Sequence, residues 1–183
     1  TGLTFSTGDG TSDVAMQFSG TKANINAALV GLVYSPTTNY NGADTLSITA
    51  DDGTTTDTDT IAITVNAVND APINSVPGAQ STNEDTNLTF STGNGNLISI
   101  ADVDNASLTL SISVSNGTLT LSQITGLTFS TGDGTSDVAM QFSGTKANIN
   151  SALSGLIYAP TANYNGVDTL SITADDGTTT DTD

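Results

Sequence analysis

The chain has no cysteine, no histidine, no arginine and no tryptophan, and its 183 residues include one glutamate and two lysines. Each absence closes a class of chemistry. Without cysteine there is no disulfide staple, no thiolate nucleophile and no zinc–thiolate site; without histidine there is no Ser-His-Asp relay and no imidazole metal ligand. Paired carboxylates alone can hydrolyse a glycosidic bond. Sites of that kind hold the sugar with aromatic and arginine neighbours, and here there are nine aromatics and no arginine. The expectation is therefore that the protein is not an enzyme. The absence of cysteine leaves the compartment open, because many secreted bacterial proteins contain none. Apolar runs are short: the longest lies around AALVGLVY, well below the length of a membrane-crossing helix, so no membrane insertion is expected.

Cations are nearly missing too. Two lysines face eighteen aspartates and one glutamate, for a net charge of −17. Phosphate backbones and anionic lipid surfaces both need cations to meet them, so nucleic acid and acidic membranes are excluded as partners. What remains is Thr, Ser, Asn, Asp and Gly around Val, Ile, Leu and Ala, a mixture that favours short strands and turns over helices.

Repetition organises the chain. Residues 1–59 recur as 125–183, a period of 124, and the copies differ at six positions: Ala27/Ser151, Val30/Ser154, Val33/Ile157, Ser35/Ala159, Thr38/Ala162 and Ala43/Val167. Such self-similarity marks stacked structural units, and the expectation is a tandem array of which this chain is a part, its ends falling inside repeats. Strand patterns are read at 86–92, 97–103, 108–114, 117–124, 126–132, 137–143, 156–160 and 168–174. The alternation is clear in LTLSISV, where Leu108, Leu110, Ile112 and Val114 share one face. TKANINSALSGL (145–156) departs from it, with Ile149, Leu153 and Leu156 at helical spacing and Thr145 as N-cap. The predicted fold is all-β: a Greek-key β-sandwich with one short helical turn per repeat. The boundary falls at Asn69-Asp70-Ala71-Pro72, after the strand-like TIAITVNAV. Residues 1–68 then form the C-terminal part of one repeat, and residues 69–183 the following repeat without its last strand.

At that boundary Pro72 fixes its own φ and holds Ala71 extended, which stiffens the linker. Asn69 and Asp70 bring side-chain oxygens, the hard donors that suit Ca2+. Further oxygens come from Asp102 and Asp104, two residues apart and so on one side of an extended chain. Asp51 and Asp52, with their copies Asp175 and Asp176, stand just before a glycine. Glu84 precedes a strand, and NYNGAD contributes Asn41 and Asp44. Plainer readings stand beside these: a rigid turn at NDAP, an Asx turn at DVDN, a hairpin turn at DDG, and turns at GDGTSD (8–13 and 132–137). Lys22 and Lys146 read as solvent-exposed, with no apolar acid–lysine–asparagine cluster legible around either.

Taken in order, NDAP, NEDT, ISIADVDNASL, NYNGxDTLxITADDG and TIAITVNAVNDAP resemble the cadherin-like tandem repeats of very large bacterial surface adhesins, over essentially the whole chain. The resemblance implies a cadherin/immunoglobulin-like sandwich and an extracellular, cell-surface extender array stiffened by Ca2+. It implies Asn69 and Asp70 as linker ligands, Asp102 and Asp104 as the paired aspartates of the following domain, and Asp175 or Asp176 as its late aspartate. Asn41 and Asp44 stand where cadherins carry an acid-Arg-acid loop, which this chain lacks, and Glu84 would serve a later junction. The expected partners are neighbouring repeats of the same protein, identical chains among them, and a glycan or cell surface. Two other functions are weighed: a carbohydrate-binding module, and a self-assembling filament or sheath subunit completed by strand exchange between chains.

Overall fold

The computed structural model describes residues 2–183. The fold is all-β, in several open sheets with two short helices. It divides into two compact units, Thr1–Ala67 and Val68–Asp183.

Unit 1 holds β1 (Leu3–Thr7), β2 (Gln17–Gly20), α1 (Lys22–Leu29), β3 (Gly42–Asp51) and β4 (Thr56–Val65). Two antiparallel hairpins, β1–β2 and β3–β4, are separate two-stranded sheets. The second is paired from Gly42↔Val65 to Asp51↔Thr56 without interruption. Among the described residues of unit 1 none is buried.

Unit 2 holds β5 (Ile73–Ser75), β6 (Leu88–Phe90), β7 (Ser99–Ala101), β8 (Ser107–Ser113), β9 (Gly117–Thr120), β10 (Leu127–Thr131), β11 (Ala139–Thr145), α2 (Lys146–Leu153), β12 (Leu156–Pro160), β13 (Ser171–Asp175) and β14 (Thr180–Thr182). The main sheet runs β10-β11-β8-β13-β14, a second runs β6-β12-β9, and β5 pairs with β7 alone. All pairings are antiparallel. The core draws on both larger sheets and on α2. Leu108, Leu110, Ile112, Met140, Phe142, Ile172 and Ala174 come from the main sheet, Phe90, Leu119 and Leu156 from the second, and Ile149, Ala152 and Leu153 from the helix. In β8 burial alternates residue by residue, with Leu108, Leu110 and Ile112 inside and Thr109, Ser111 and Ser113 on the other face. This is the period of two that the sequence shows there.

The helix begins as its cap dictates: Thr145 accepts the N–H of Asn148 through its hydroxyl. It ends at Leu153 after eight residues, a short helix as the sequence predicts, and the strand read at 156–160 follows as β12. Gly155, at φ 103°, turns the chain, and Leu156 enters the core from β12 instead of from the helix. Two short strands, β5 and β14, were not anticipated. Strand β13 is shorter than the pattern at 168–174 predicts. Residues 166–170 have no strand beside them, whereas their copies 42–46 pair with Ile61–Val65; a strand exists only where its ladder has a partner.

The same side chain thus has opposite surroundings in the two units. Ile172 is 1% exposed and Ile48 is 36% exposed. Ile172→Ala is expected to cost about 2–5 kcal/mol and to lower the urea midpoint of unit 2 clearly. Ile48→Ala is expected to shift unfolding by less than about 0.5 kcal/mol.

Candidate metal centre

The acidic cluster is assembled by pairing. Ile73 of β5 lies opposite Ala101 of β7, which runs the preceding Asn69–Pro72 beside the turn that follows β7. That strand is held from its far side by α2: Ile100 donates its N–H to Asn150 Oδ1 at 2.8 Å, and Asn150 Nδ2 donates to the Ile100 carbonyl at 2.9 Å. β5 is likewise hooked to β14, with the Asn74 N–H donating to Asp181 Oδ2 at 2.6 Å and Asn74 Nδ2 donating to the Asp181 carbonyl at 2.9 Å. The floor of the cluster is therefore set by backbone pairing and by the side-chain amides of buried Asn74 and half-buried Asn150.

Asp102 forms an Asx turn. Its Oδ1 accepts the N–H of Asp104 at 2.8 Å and of Asn105 at 2.6 Å. Its other oxygen, Oδ2, is buried and has no hydrogen-bond partner. An ionised carboxylate oxygen so placed is costly unless something meets it. Lys146 donates from Nζ to the Asp102 carbonyl and from its backbone N–H to Ala106, bringing a positive charge to the same turn. This corrects the expectation that Lys146 is solvent-exposed; as the first helical residue after the Thr145 cap it is half-buried.

Above this turn, Asp104 Oδ2 accepts the N–H of Asp70 at 2.7 Å. Asn69 Nδ2 donates to Asp176 Oδ2 at 2.8 Å and to Thr179 Oγ1 at 3.3 Å, and Asn105 Nδ2 donates to Asn69 Oδ1 at 3.5 Å. Asp176 lies in the β13–β14 turn, where its Oδ1 accepts the N–H groups of Thr178 and Thr179, each at 2.7 Å. Asp175 Oδ1 accepts the Gly177 N–H at 2.7 Å, and Gly177 sits at φ 90°, a conformation that favours glycine. The Thr179 N–H, with Asn69 Nδ2, holds the Asp176 carboxyl down at about 2, against the opposing effect of burial.

The structure thus brings Asn69, Asp70, Asp102, Asp104 and Asp176 into one network. Asp175 stands in the same turn with its carboxylate folded back on Gly177. Glu84 lies apart, exposed in the loop between β5 and β6. Asn41, Asp44, Asp51 and Asp52 belong to unit 1. There Asp52 Oδ1 accepts the N–H groups of Thr54 and Thr55, and Gly53 donates to Asp51. Thr179 and Asn105 are not among the site residues that the sequence suggests. Asn105 carried a signal, standing one place after Asp104; Thr179 carried none beyond belonging to the turn.

Both copies of the NYNGxD aspartate accept a tyrosine hydroxyl and the N–H of the next threonine, and Asp168 takes two further donors. Asp168 accepts the N–H groups of Ser115 and Asn116 at 3.0 and 2.9 Å and the Tyr158 hydroxyl at 2.9 Å. Burial pushes the Asp168 carboxyl up, but these donors outweigh it and hold the group below the usual carboxylate range. Burial and then Asp168 itself push the Tyr158 hydroxyl up to about 12. Tyr164 donates to the Val167 carbonyl at 2.8 Å. Both tyrosines of this motif in unit 2 therefore fasten a corner. In unit 1, Asp44 accepts from the Tyr34 hydroxyl and from Thr45 N–H, each at 2.7 Å. The GDGTSD segments are turns: Asp137 Oδ2 accepts the N–H groups of Asp133 and Gly134, and Asp13 does the same for Asp9 and Gly10.

Among the described residues, no three acidic side chains are arranged so that they could hold a metal ion as they stand. The reason is visible in the donors. Asn69 turns its nitrogen to Asp176, and Asp70 turns its backbone N–H, not its carboxylate, to Asp104. Set against known proteins, the chain matches no family model, no curated protein and no solved structure.

The Asn69–Asp176 bond sets a pH window. A carboxylate with a lowered folded pKa stabilises the fold above its unfolded value, about 3.9, and that stabilisation is lost as pH falls through the folded value. The side-chain amide signals of Asn69 in nuclear magnetic resonance spectra are expected to titrate with a midpoint of about 2. With Thr179→Gly, which removes the hydroxyl, the midpoint is expected to rise. A midpoint at the ordinary carboxylate value in the unaltered protein would contradict the bond. Separately, Asp168→Ala strands the Ser115 and Asn116 amides and is expected to cost about 1–3 kcal/mol in urea unfolding.

Proposed function

We propose that the chain is a Ca2+-stiffened extracellular extender repeat of a large bacterial surface protein, a Greek-key sandwich of cadherin-like type used in tandem. The observation that carries this reading is the buried, unpartnered Oδ2 of Asp102 in a turn next to Asn69, Asp70, Asp104 and Asp176. The donors fit a hard cation in kind: carboxylate oxygens, an amide oxygen and backbone carbonyls, with no histidine or cysteine in the sequence to favour a softer metal.

Bound Ca2+ would supply a divalent charge that accepts about 6–8 oxygens. Asp102 would give it Oδ2, the oxygen that nothing else meets. Asp104 and Asp70 would give their carboxylates, and Asn69 its Oδ1 once the amide turns. Asp176, freed from Asn69, would face the same charge. Asn69–Pro72, the first segment of unit 2, would then be held to the β7–β8 and β13–β14 turns by the cation in addition to its hydrogen bonds. Repulsion among these aspartates, in a chain of net charge −17, is what the cation removes. The adhesion-array reading also fits what is scarce: with nine aromatics and no arginine, the chain has few side chains of the kind that hold a sugar.

Thermal unfolding tests this directly. Millimolar CaCl2 is expected to raise the Tm of unit 2 over that in EGTA; at 100 times Kd the stabilisation is about 2.7 kcal/mol. The rise is expected to vanish when Asp102→Asn and Asp104→Asn are combined. An unchanged Tm in the unaltered protein would mean that the carboxylates are a solvated surface and that only Pro72 stiffens the segment.

A further inference from the structure

Lys146 is the only cationic side chain in residues 68–183, where it stands against eleven aspartates and one glutamate. Its position is not one that favours a lysine. It opens α2 directly after the Thr145 cap, and the first turn of that helix carries no acidic residue. A helix N-terminus bears partial positive charge, so a cation there is unfavourable. Its Nζ donates not to a carboxylate but to a backbone oxygen, the Asp102 carbonyl.

The surrounding backbone fixes that contact. The Lys146 N–H donates to the Ala106 carbonyl at 2.9 Å, and Thr145 lies opposite Ser107. The start of α2 is thus tied to the chain just after the Asp102–Asn105 turn. The Asn150–Ile100 bonds tie the next turn of the helix to the strand just before it. Residue 102 lies between those two ties, and the half-buried Lys146 side chain reaches it. The same residue carries the buried Oδ2 that has no partner. One ammonium is therefore held at the turn where the carboxylates of this unit converge.

We infer that Lys146 is a tethered internal cation that holds the Asp102–Asn105 turn in the metal-free protein and weakens the binding of a divalent cation there. The inference rests on the Ca2+ reading above. The ammonium and the divalent ion act on the same carboxylates. With no ion bound, the ammonium offsets the repulsion among Asp70, Asp102 and Asp104; against an arriving ion, it is a like charge. An ammonium has donors and no acceptor, so Lys146 is not a ligand. Whatever stabilises the metal-free form more than the bound form lowers the apparent affinity, and Lys146 thereby sets the Ca2+ concentration at which Asn69–Pro72 is fastened.

The test uses the full chain, unaltered and with Lys146→Met or Lys146→Arg. Methionine keeps an unbranched stem without the charge, and arginine keeps the charge. Affinity is read by calorimetric titration with CaCl2, and metal-free stability by thermal unfolding in EGTA. With Lys146→Met, Ca2+ is expected to bind about five- to tenfold more tightly at low salt, while the Tm in EGTA falls. At about 1 M salt, where the Debye length is ~3 Å, that difference in affinity is expected to shrink. Lys146→Arg is expected to stay within about twofold of the unaltered protein, because the charge is kept. A lysine that only packs or shapes the turn would give equal or weaker Ca2+ binding in Lys146→Met, and that result would overturn the inference. In the unaltered protein, the Lys146 ε-methylene signals in nuclear magnetic resonance spectra are expected to shift during the titration together with the Asp102 and Asp104 amides. Methylene signals that stay in place while those amides move would also overturn it, whether or not the variants fold. Ca2+ without effect on any of the three proteins would contradict the Ca2+ reading itself, and this inference with it.

Discussion

Leu110 and Ile112 of β8 stand between Phe142 and Met140 of β11 on one side and Ala174 and Ile172 of β13 on the other, and every apolar element of unit 2 is arranged around that insertion. The strand joins two hairpins into a five-stranded sheet. It supplies three of the fully enclosed side chains and gives α2 and the second sheet a surface to close on. Hydrophobic burial of this kind is the main favourable term in folding. Unit 1 has almost the same residues as 125–183 and no such strand, and among its described residues it buries nothing. Sequence identity therefore does not carry a core with it; the core belongs to the pairing.

The acidic cluster is a consequence of the same arrangement. The chain leaves β7 and enters β8 through the Asp102–Asn105 turn, so fixing β8 in register fixes that turn. Asn150 holds β7 from the helix, and Lys146 holds the Asp102 carbonyl. The β13–β14 turn, which carries Asp176, is the continuation of the strand on the other side of β8. Asn69 and Asp70 reach both turns because β5 pairs with β7. A rigid apolar layer thus sets the positions of exposed carboxylates, and only their side-chain rotations are free to answer a cation. Under the proposed reading, the side chains would have to turn while the backbone stays in place, which lowers affinity.

Much of the strand content was legible in the sequence, and for one reason: alternation in LTLSISV, and the repeated GLTFSTG and MQFSG segments, survives without tertiary help. The helix was legible from Thr145 and from Ile149 and Leu153 at a four-residue spacing, and its end from the strand pattern that begins at Leu156. The extent of β13 was not legible either, since DTLSITA reads the same in both copies and only the presence of a partner decides how much of it is strand. In the cluster, Asn69, Asp70 and the two-residue spacing of Asp102 and Asp104 were legible locally, while grouping them with Asp175 or Asp176 followed from the resemblance to cadherin-like repeats. What no pattern shows is the direction of each hydrogen bond. Asp168 illustrates this: its motif reads as an oxygen ligand, and the fold spends it on the Ser115 and Asn116 amides.

The account turns on whether the unpartnered Asp102 oxygen faces a cation. The most direct measurement is a crystal structure of the chain grown with calcium chloride and recorded at a wavelength that gives calcium anomalous signal. The account predicts an anomalous peak about 2.3–2.6 Å from Asp102 Oδ2, with Asp104 and Asn69 Oδ1 turned to the same point. Asp102 Oδ2 hydrogen-bonded to ordered water, with no peak beside it and Asn69 still donating to Asp176, would contradict it.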